Sequence, residues 1–413
     1  PTMLTTAQST LFPVDDAAIG EHPDHSARPV PADLARISPR LAAYFAATEL
    51  DRPTLAVDLA LIEARYDELS SAFSGCETFY AVKANPAPEI VSRLIARGAR
   101  LDCASRNEIA FCLGLGANAA DICFGNTIKK ESEIAWAHAH GVTQFAFDSV
   151  GELEKLARSA PGAQVLCRLI SDGAGAEWPL SRKFGCSTAM AVDLLQEARE
   201  AGLIPYGVAF HVGSQQTEPE RWTPALIQAR EVFDRLEREA GIRLDCLNLG
   251  GGMPARYRSE LFDLGDYGAR VMASVREIFA GLSPRLIIEP GRGLVADAGV
   301  IQAEVVLVSR KDESETQRWV YLDIGKFSGL AETMDEAIKY RLVTARDGGA
   351  TGPVILAGPS CDSADILYEK SGYALPLDLQ VGDKVWILSA GAYTTTYSSI
   401  GFNGIPPLET VCV

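Results

Sequence analysis

Thr78-Phe79-Tyr80-Ala81-Val82-Lys83-Ala84-Asn85 is the stretch on which the fold turns. Its aromatic and β-branched side chains mark residues 78–83 as a short buried strand. The strand ends on a lysine where the chain turns outward, at the rim where parallel-barrel enzymes keep their chemistry. Desolvation at such a rim disfavours the ammonium, so Lys83 is expected to be a free, nucleophilic amine. A lysine that merely reaches along a strand end to solvent would give the same local pattern.

Working outward, further strand-like runs lie near 99–103, 121–124, 143–147, 163–170, 205–211, 245–249 and 285–289. Helical patterns separate most of them, as at 89–97, 131–140, 189–201 and 223–240, with Gly98, Gly141, Gly202 and Gly241 at the expected C-caps. Eight consecutive β-α units predict an α/β fold built on a closed (β/α)8 barrel, with an open doubly wound sheet as the alternative.

From about residue 294 the periodicity changes to two, in the runs 300–308, 319–323, 354–357 and 385–389. These runs, with Gly and Asp turns between them, predict a second, antiparallel β domain. An isolated strand at 53–58 has no helical partner in the barrel count and is assigned to that domain. The expected division is a flexible N-terminal arm over 1–40, the barrel over 60–293, and the β domain over 41–59 plus 294–413. His22 and His25 fall in the arm, and no metal site is expected.

A length of 413 residues, 47% hydrophobic and 22% charged, suits a two-domain globular enzyme. The formal net charge of −16 argues against nucleic acid or an anionic membrane as partner. The nine cysteines are odd in number and form no C-x-x-C pair, which argues against a disulfide framework or a zinc site. No apolar run is long enough for a membrane span, and no secretory signal pattern is present, so a cytoplasmic protein is expected.

The residues that follow the barrel strands carry the chemistry: Lys83, Asp102, Asn126, Asp148, Arg168, His211, Gly250 to Gly252, and Glu289 with Arg292. Gly250-Gly251-Gly252 lets backbone N–H groups approach an anion, and Glu289-Pro290-Gly291-Arg292 adds a guanidinium suited to phosphate. Neither a Walker lysine nor a dinucleotide fingerprint accompanies them. A nucleophilic lysine, a phosphate cradle and a strand-end carboxylate fit pyridoxal 5'-phosphate. In that reading Glu289 keeps the pyridine nitrogen protonated and His211 stacks on the ring.

Tyr80-Ala-Val-Lys-Ala-Asn85, Phe210-His-Val-Gly-Ser214, Gly250-Gly-Gly252, Glu289-Pro-Gly-Arg292, Gly358-Pro-Ser-Cys-Asp-Ser363 and Gly391-Ala-Tyr-Thr394 occur in that order. From about residue 40 onward the chain resembles the fold-type III pyridoxal-phosphate decarboxylases, with their alanine racemase-like fold, and specifically the bacterial ornithine (ornithine/lysine) decarboxylase branch. The resemblance implies that Lys83 anchors the cofactor covalently and that His211 stacks on it. It implies that Ser214, Gly252, Arg292 and Tyr393 hold the phosphate, that Gly250, Gly251 and Gly291 also bind the cofactor, that Glu289 pairs with the ring nitrogen, and that Asp102, Glu108 and Arg168 support the site.

It further implies a head-to-tail homodimer in which Cys361 and Asp362 reach into the partner's site, Cys361 returning a proton to Cα. Substrate recognition is assigned to Asp335, Glu332, Asp362 and Phe402, whereas Glu336 reads as a solvated face. L-ornithine is the first choice of substrate and L-lysine the nearest alternative. Diaminopimelate decarboxylases typically read Cys-Glu-Ser where this chain has Cys361-Asp-Ser363, and alanine racemases lack the Cys361 segment. Non-catalytic regulators of the family tend to lose cofactor contacts that are all present here. Ile405 stands where close relatives commonly carry a bulkier aromatic.

Overall fold

All eight strand-like runs between 78 and 289 form strands within two residues of their expected limits in the computed structural model. The structure describes residues 37–413 apart from 179–182, 259–260 and 262, so the arm, with His22 and His25, lies almost wholly outside the described residues. A helix, Pro39–Ala47, overlaps the last two positions assigned to that arm; Ser38 caps it by accepting a hydrogen bond from the Leu41 N–H at 3.2 Å.

The strands are β1 (Thr54–Val57), β2 (Cys76–Ala81), β3 (Arg100–Cys103), β4 (Ile122–Phe124), β5 (Gln144–Phe147), β6 (Gln164–Arg168), β7 (Ala176–Trp178), β8 (Ile204–Ala209), β9 (Ser214–Gln216), β10 (Cys246–Asn248) and β11 (Arg285–Ile288). Eight of them close in the order β10-β11-β2-β3-β4-β5-β6-β8, every pairing parallel. Closure, not an open doubly wound sheet, is therefore the outcome. β7 and β9 pair separately as a small antiparallel ribbon.

Alternation along the strands explains the packing. Phe79, Cys123, Leu166, Ala209, Cys246 and Ile287 form one buried cluster, while their neighbours Tyr80, Phe124, Val165, Val208, Leu247 and Ile288 belong to the main core. Each large apolar side chain so buried contributes about 1.5–3 kcal/mol, and a one-residue slip would exchange the two sets. The cysteines at 103, 112, 123, 167, 186 and 246 are buried free thiols, as their apolar surroundings suggest.

The remaining strands are β12 (Gly299–Ser309), β13 (Arg318–Leu322), β14 (Leu342–Thr344), β15 (Thr351–Ala357), β16 (Ile366–Pro376), β17 (Lys384–Ile387) and β18 (Glu409–Cys412). They form one sheet in the order β14-β17-β12-β13-β15-β16, with β1 paired to β12 and β18. Most pairings are antiparallel, as expected, but β13–β15 and β1–β18 are parallel, so the sheet is mixed. A period of two reports which face a residue occupies and says nothing of the neighbouring strand's direction. Among the described residues no helix is long and apolar enough to cross a membrane.

Candidate active site

Lys83 sits in a 3-10 turn, Val82–Ala84, immediately after β2, and its carbonyl accepts a hydrogen bond from Thr396 Oγ1 at 3.1 Å. Its ammonium lies 3.1 Å from Oδ2 of Asp102, which is buried on β3. Gly125 leaves the space that carboxylate needs, since a Cβ there would fall 1.9 Å from Asp102 Oδ1. Burial works against the charge on Lys83, but the nearby Asp102, Tyr393 and Glu289 outweigh it and raise the pKa. The expectation of a free amine is thus corrected: the Asp102 carboxylate beside Lys83 favours the ammonium.

Glu289 follows β11, and its Oε1 accepts a hydrogen bond from Asn248 Nδ2 at 2.6 Å. Asn248 Oδ1 in turn accepts from the Gly250 N–H at 2.9 Å, so one side chain braces both the carboxylate and the glycine turn. Burial, followed by the charge of Asp102, pushes the Glu289 carboxyl up to about 7. His211 follows β8, and its Nδ1 accepts from the Gly213 N–H at 3.0 Å, which leaves any ring proton of the neutral form on Nε2. Burial, with help from Arg168 and Lys83, lowers the His211 pKa well below its ordinary value, so the ring is neutral.

The glycines make a cradle that side chains would fill. A Cβ on Gly251 would lie 2.6 Å from the Glu289 carbonyl oxygen and 3.1 Å from His211 Nε2, and one on Gly252 (φ +111°) would lie 2.5 Å from the Gly213 carbonyl oxygen. Gly250, at φ +70°, would clash with Phe210. At the cradle's edge Arg292 donates from Nε to Ser214 Oγ (3.1 Å), from Nη1 to Tyr257 OH (2.9 Å), and from both Nη atoms to the Glu332 carboxylate (2.7 and 2.6 Å). The guanidinium carbon lies 4.9 Å from the centre of the Tyr393 ring. A Cβ on Gly291 would be 3.3 Å from Tyr393 OH.

Arg168 lies over the Phe184 ring at 5.0 Å, and Glu108 Oε2 accepts from the Ala104 N–H at 2.6 Å. Asp148 accepts from the Gly185 N–H at 2.7 Å.

The residues assigned to substrate separate into two groups. Glu332 is buried against Arg292, whereas Asp335, Asp362, Phe402 and Cys361 are exposed. Glu336 is not a solvated face: it accepts from the Glu369 and Lys370 N–H groups (2.8 and 2.7 Å) and from the Ser371 hydroxyl. Phe402 packs on Phe327 at 5.1 Å, and Asn403 brackets Cys361, accepting from its N–H at 3.1 Å and donating to its Sγ at 3.3 Å. Ile405 is half-buried. Asn248, Tyr257, Thr396 and Asn403 were not foreseen; only Asn248, two residues before the glycine run, left a local signal.

This donor set suits pyridoxal phosphate: an accessible strand-end amine, a buried carboxyl for a ring nitrogen, a neutral imidazole and a glycine cradle beside a serine hydroxyl. The fold and site define a barrel enzyme that uses this cofactor. The model of the pyridoxal-dependent decarboxylase pyridoxal-binding domain matches residues 59–296. The lysine/ornithine decarboxylase of Selenomonas ruminantium is 34% identical over 368 residues, 88% of this chain and 90% of that protein.

A solved lysine/ornithine decarboxylase from Vibrio vulnificus, complexed with cadaverine, superposes with TM-score 0.80 at 30% identity, covering 91% of this chain and 98% of that one. The arginine decarboxylase of Paramecium bursaria Chlorella virus gives 0.82 at 25% identity, with 91% and 99% covered. The chain belongs to the ornithine decarboxylase family of fold-type III, pyridoxal-phosphate-dependent decarboxylases. It is a carboxy-lyase for basic amino acids.

Proposed function

We propose that the protein converts L-ornithine to putrescine and carbon dioxide, a step that supplies polyamines, as a homodimer with shared sites. One observation carries the choice of a diamino acid: of the acidic residues at the recognition segment, Glu332 and Glu336 are engaged within the fold, while Asp335 is exposed. A carboxylate meeting a buried ligand requires a cation, which the distal ammonium of ornithine provides. The nine free thiols fit the reducing cytoplasm.

In this reading Lys83 would anchor the cofactor as the free amine, after its ammonium beside Asp102 has lost a proton, and the bound pyridoxal ring would supply the sink for the electron pair left when the Cα–carboxylate bond breaks. Glu289, whose Oε1 is engaged by Asn248, would be the residue that pairs with the pyridine nitrogen and favours its protonated form. Neutral His211 packs on the ring without adding charge. Ser214, Gly250, Gly251, Gly252, Gly291, Arg292 and Tyr393 hold the phosphate, with Arg168 and Glu108 in support.

Cys361 is exposed in the single chain and braced by Asn403. The partner subunit's Cys361 would donate the proton that Cα needs, and the partner subunit's Asp362 would join Asp335 and Phe402 around the distal end of the substrate.

Carbon dioxide release from L-ornithine, L-lysine, L-arginine and meso-diaminopimelate tests the substrate. The highest kcat/KM is expected for ornithine; one methylene is worth only about 1–3 kcal/mol, so lysine is the nearest competitor. A higher kcat/KM for any of the other three would reject ornithine. Shared sites are tested by mixing: Lys83→Ala and Cys361→Ala, each inactive alone, should regain about one quarter of full activity when subunits reassort at random. No recovery in exchanged dimers would place both residues in one chain's site.

A further inference from the structure

Arg292 and Glu332 form the most completely buried ion pair at the cradle, each side chain 3% exposed, with Oε1 and Oε2 meeting Nη2 and Nη1 at 2.6 and 2.7 Å. We infer that Glu332 is a positioning residue of the cofactor's phosphate site, sharing Arg292 with the phosphate so that it lowers cofactor affinity while tying the recognition segment to the cradle. The inference rests on the proposed function's assignment of Arg292 to the phosphate, and it moves Glu332 away from the substrate's distal end.

The donors of Arg292 can be followed one by one. A guanidinium carries five N–H groups. Nε–H goes to Ser214, the two on Nη1 to Tyr257 and Glu332, and one on Nη2 to Glu332. One Nη2 hydrogen is left for a phosphate oxygen, so the two-pronged grip expected of Arg292 is spent on Glu332. A phosphate therefore meets a nearly neutral pair in place of a full positive charge.

Glu332 is also the second residue of the segment Ala331–Glu336, whose far end Glu336 fastens to residues 369–371. Asp335 (φ +52°), between these anchors, and Glu336 itself (φ +54°) occupy the left-handed region that favours glycine. The corner that presents Asp335 thus hangs from the cofactor site on one side and from β16 on the other.

Replacing Glu332 with glutamine would leave the Arg292 charge unbalanced until a phosphate restores the balance. Ser214 and Tyr257 would still orient the guanidinium, so the gain in attraction outweighs the loss of one brace. The full chain, freed of cofactor, should be titrated with pyridoxal 5'-phosphate and separately with pyridoxal. Glu332→Gln is expected to bind pyridoxal 5'-phosphate roughly tenfold tighter, with pyridoxal unchanged. Adding Arg292→Met in that background, where no lone charge stays buried, should reduce the preference for the phosphorylated form below that of the unmodified chain, the glycine cradle, Ser214 and Tyr393 keeping the remainder.

If the double variant keeps the full preference of the unmodified chain, the assignment of Arg292 to the phosphate fails and this inference with it. If the double variant's preference falls but Glu332→Gln alone does not gain, only the inference fails. A tenfold rise in KM for ornithine with unchanged cofactor affinity would return Glu332 to the substrate. Should Glu332→Gln not fold, amide hydrogen exchange of the unmodified chain decides. Loading with pyridoxal 5'-phosphate, but not pyridoxal, should speed exchange at 331–336, and equal responses would overturn the sharing of Arg292.

Discussion

Two lysines follow barrel strands, and they behave in opposite ways. Lys129, beyond β4, is fully buried: its ammonium donates to the carbonyls of Asn126 (2.8 Å) and Ala146 (2.6 Å) and pairs with Glu152 (2.9 Å). Burial lowers its pKa despite that carboxylate. Lys83, beyond β2, keeps 47% of its side chain exposed, faces Asp102, and has a raised pKa. A rule that seeks the most desolvated amine would choose Lys129. Yet two carbonyls and the Glu152 carboxylate surround the Lys129 ammonium, whose side chain is wholly buried. Reactivity at this barrel rim follows access and a partner that can give way, and a lowered pKa alone does not mark the reactive amine.

The contrast can be broken most forcefully at Lys129. Lys129→Met should cost stability, about 3–5 kcal/mol, because Glu152 loses its fully buried cation, although Lys155 also pairs with Glu152 and offsets part of this. Denaturant titration reads that loss, and cofactor attachment should persist in the folded fraction. A variant of unchanged stability that fails to take up cofactor would reverse the roles of the two lysines.

Asp102→Asn sharpens the comparison from the other side. It removes the foremost cause that raises the Lys83 pKa and leaves burial to lower it. The pH midpoint for cofactor attachment, followed by visible absorption, should move down by about 1–3 units. An unmoved midpoint would mean that Asp102 does not stabilise the Lys83 ammonium. With the Lys83 pKa raised above the ordinary lysine value, the ammonium's contribution to stability is unaffected by raising the pH from neutral to about 10 and is lost as pH rises through the folded-state pKa.

What the sequence disclosed follows from which interactions are local. The eight strands were legible because each is an apolar run of a few residues, and Lys83, His211, Glu289 and the glycines because they stand directly at strand ends. The parallel β13–β15 pairing was not legible, since neighbours in a sheet leave no mark on either strand's own pattern. Nor was the bond between Arg292 and Glu332, forty residues apart, or Asn403 reaching Cys361 across forty-two. Glu332 and Glu336 both read as candidates for water or substrate, and only the fold reveals that their acceptors are engaged. The charge state of Lys83 was misread for a related reason: the burial of a strand end can be inferred, but the carboxylate on the next strand that overrides it cannot.

Borohydride reduction of the cofactor-loaded protein, followed by peptide mapping, tests the account most directly. The reduced pyridoxyl adduct should appear on the peptide containing Lys83 and be absent from that containing Lys129. An adduct on Lys129, or on no lysine at all, would contradict the assignment of Lys83 as the cofactor's anchor.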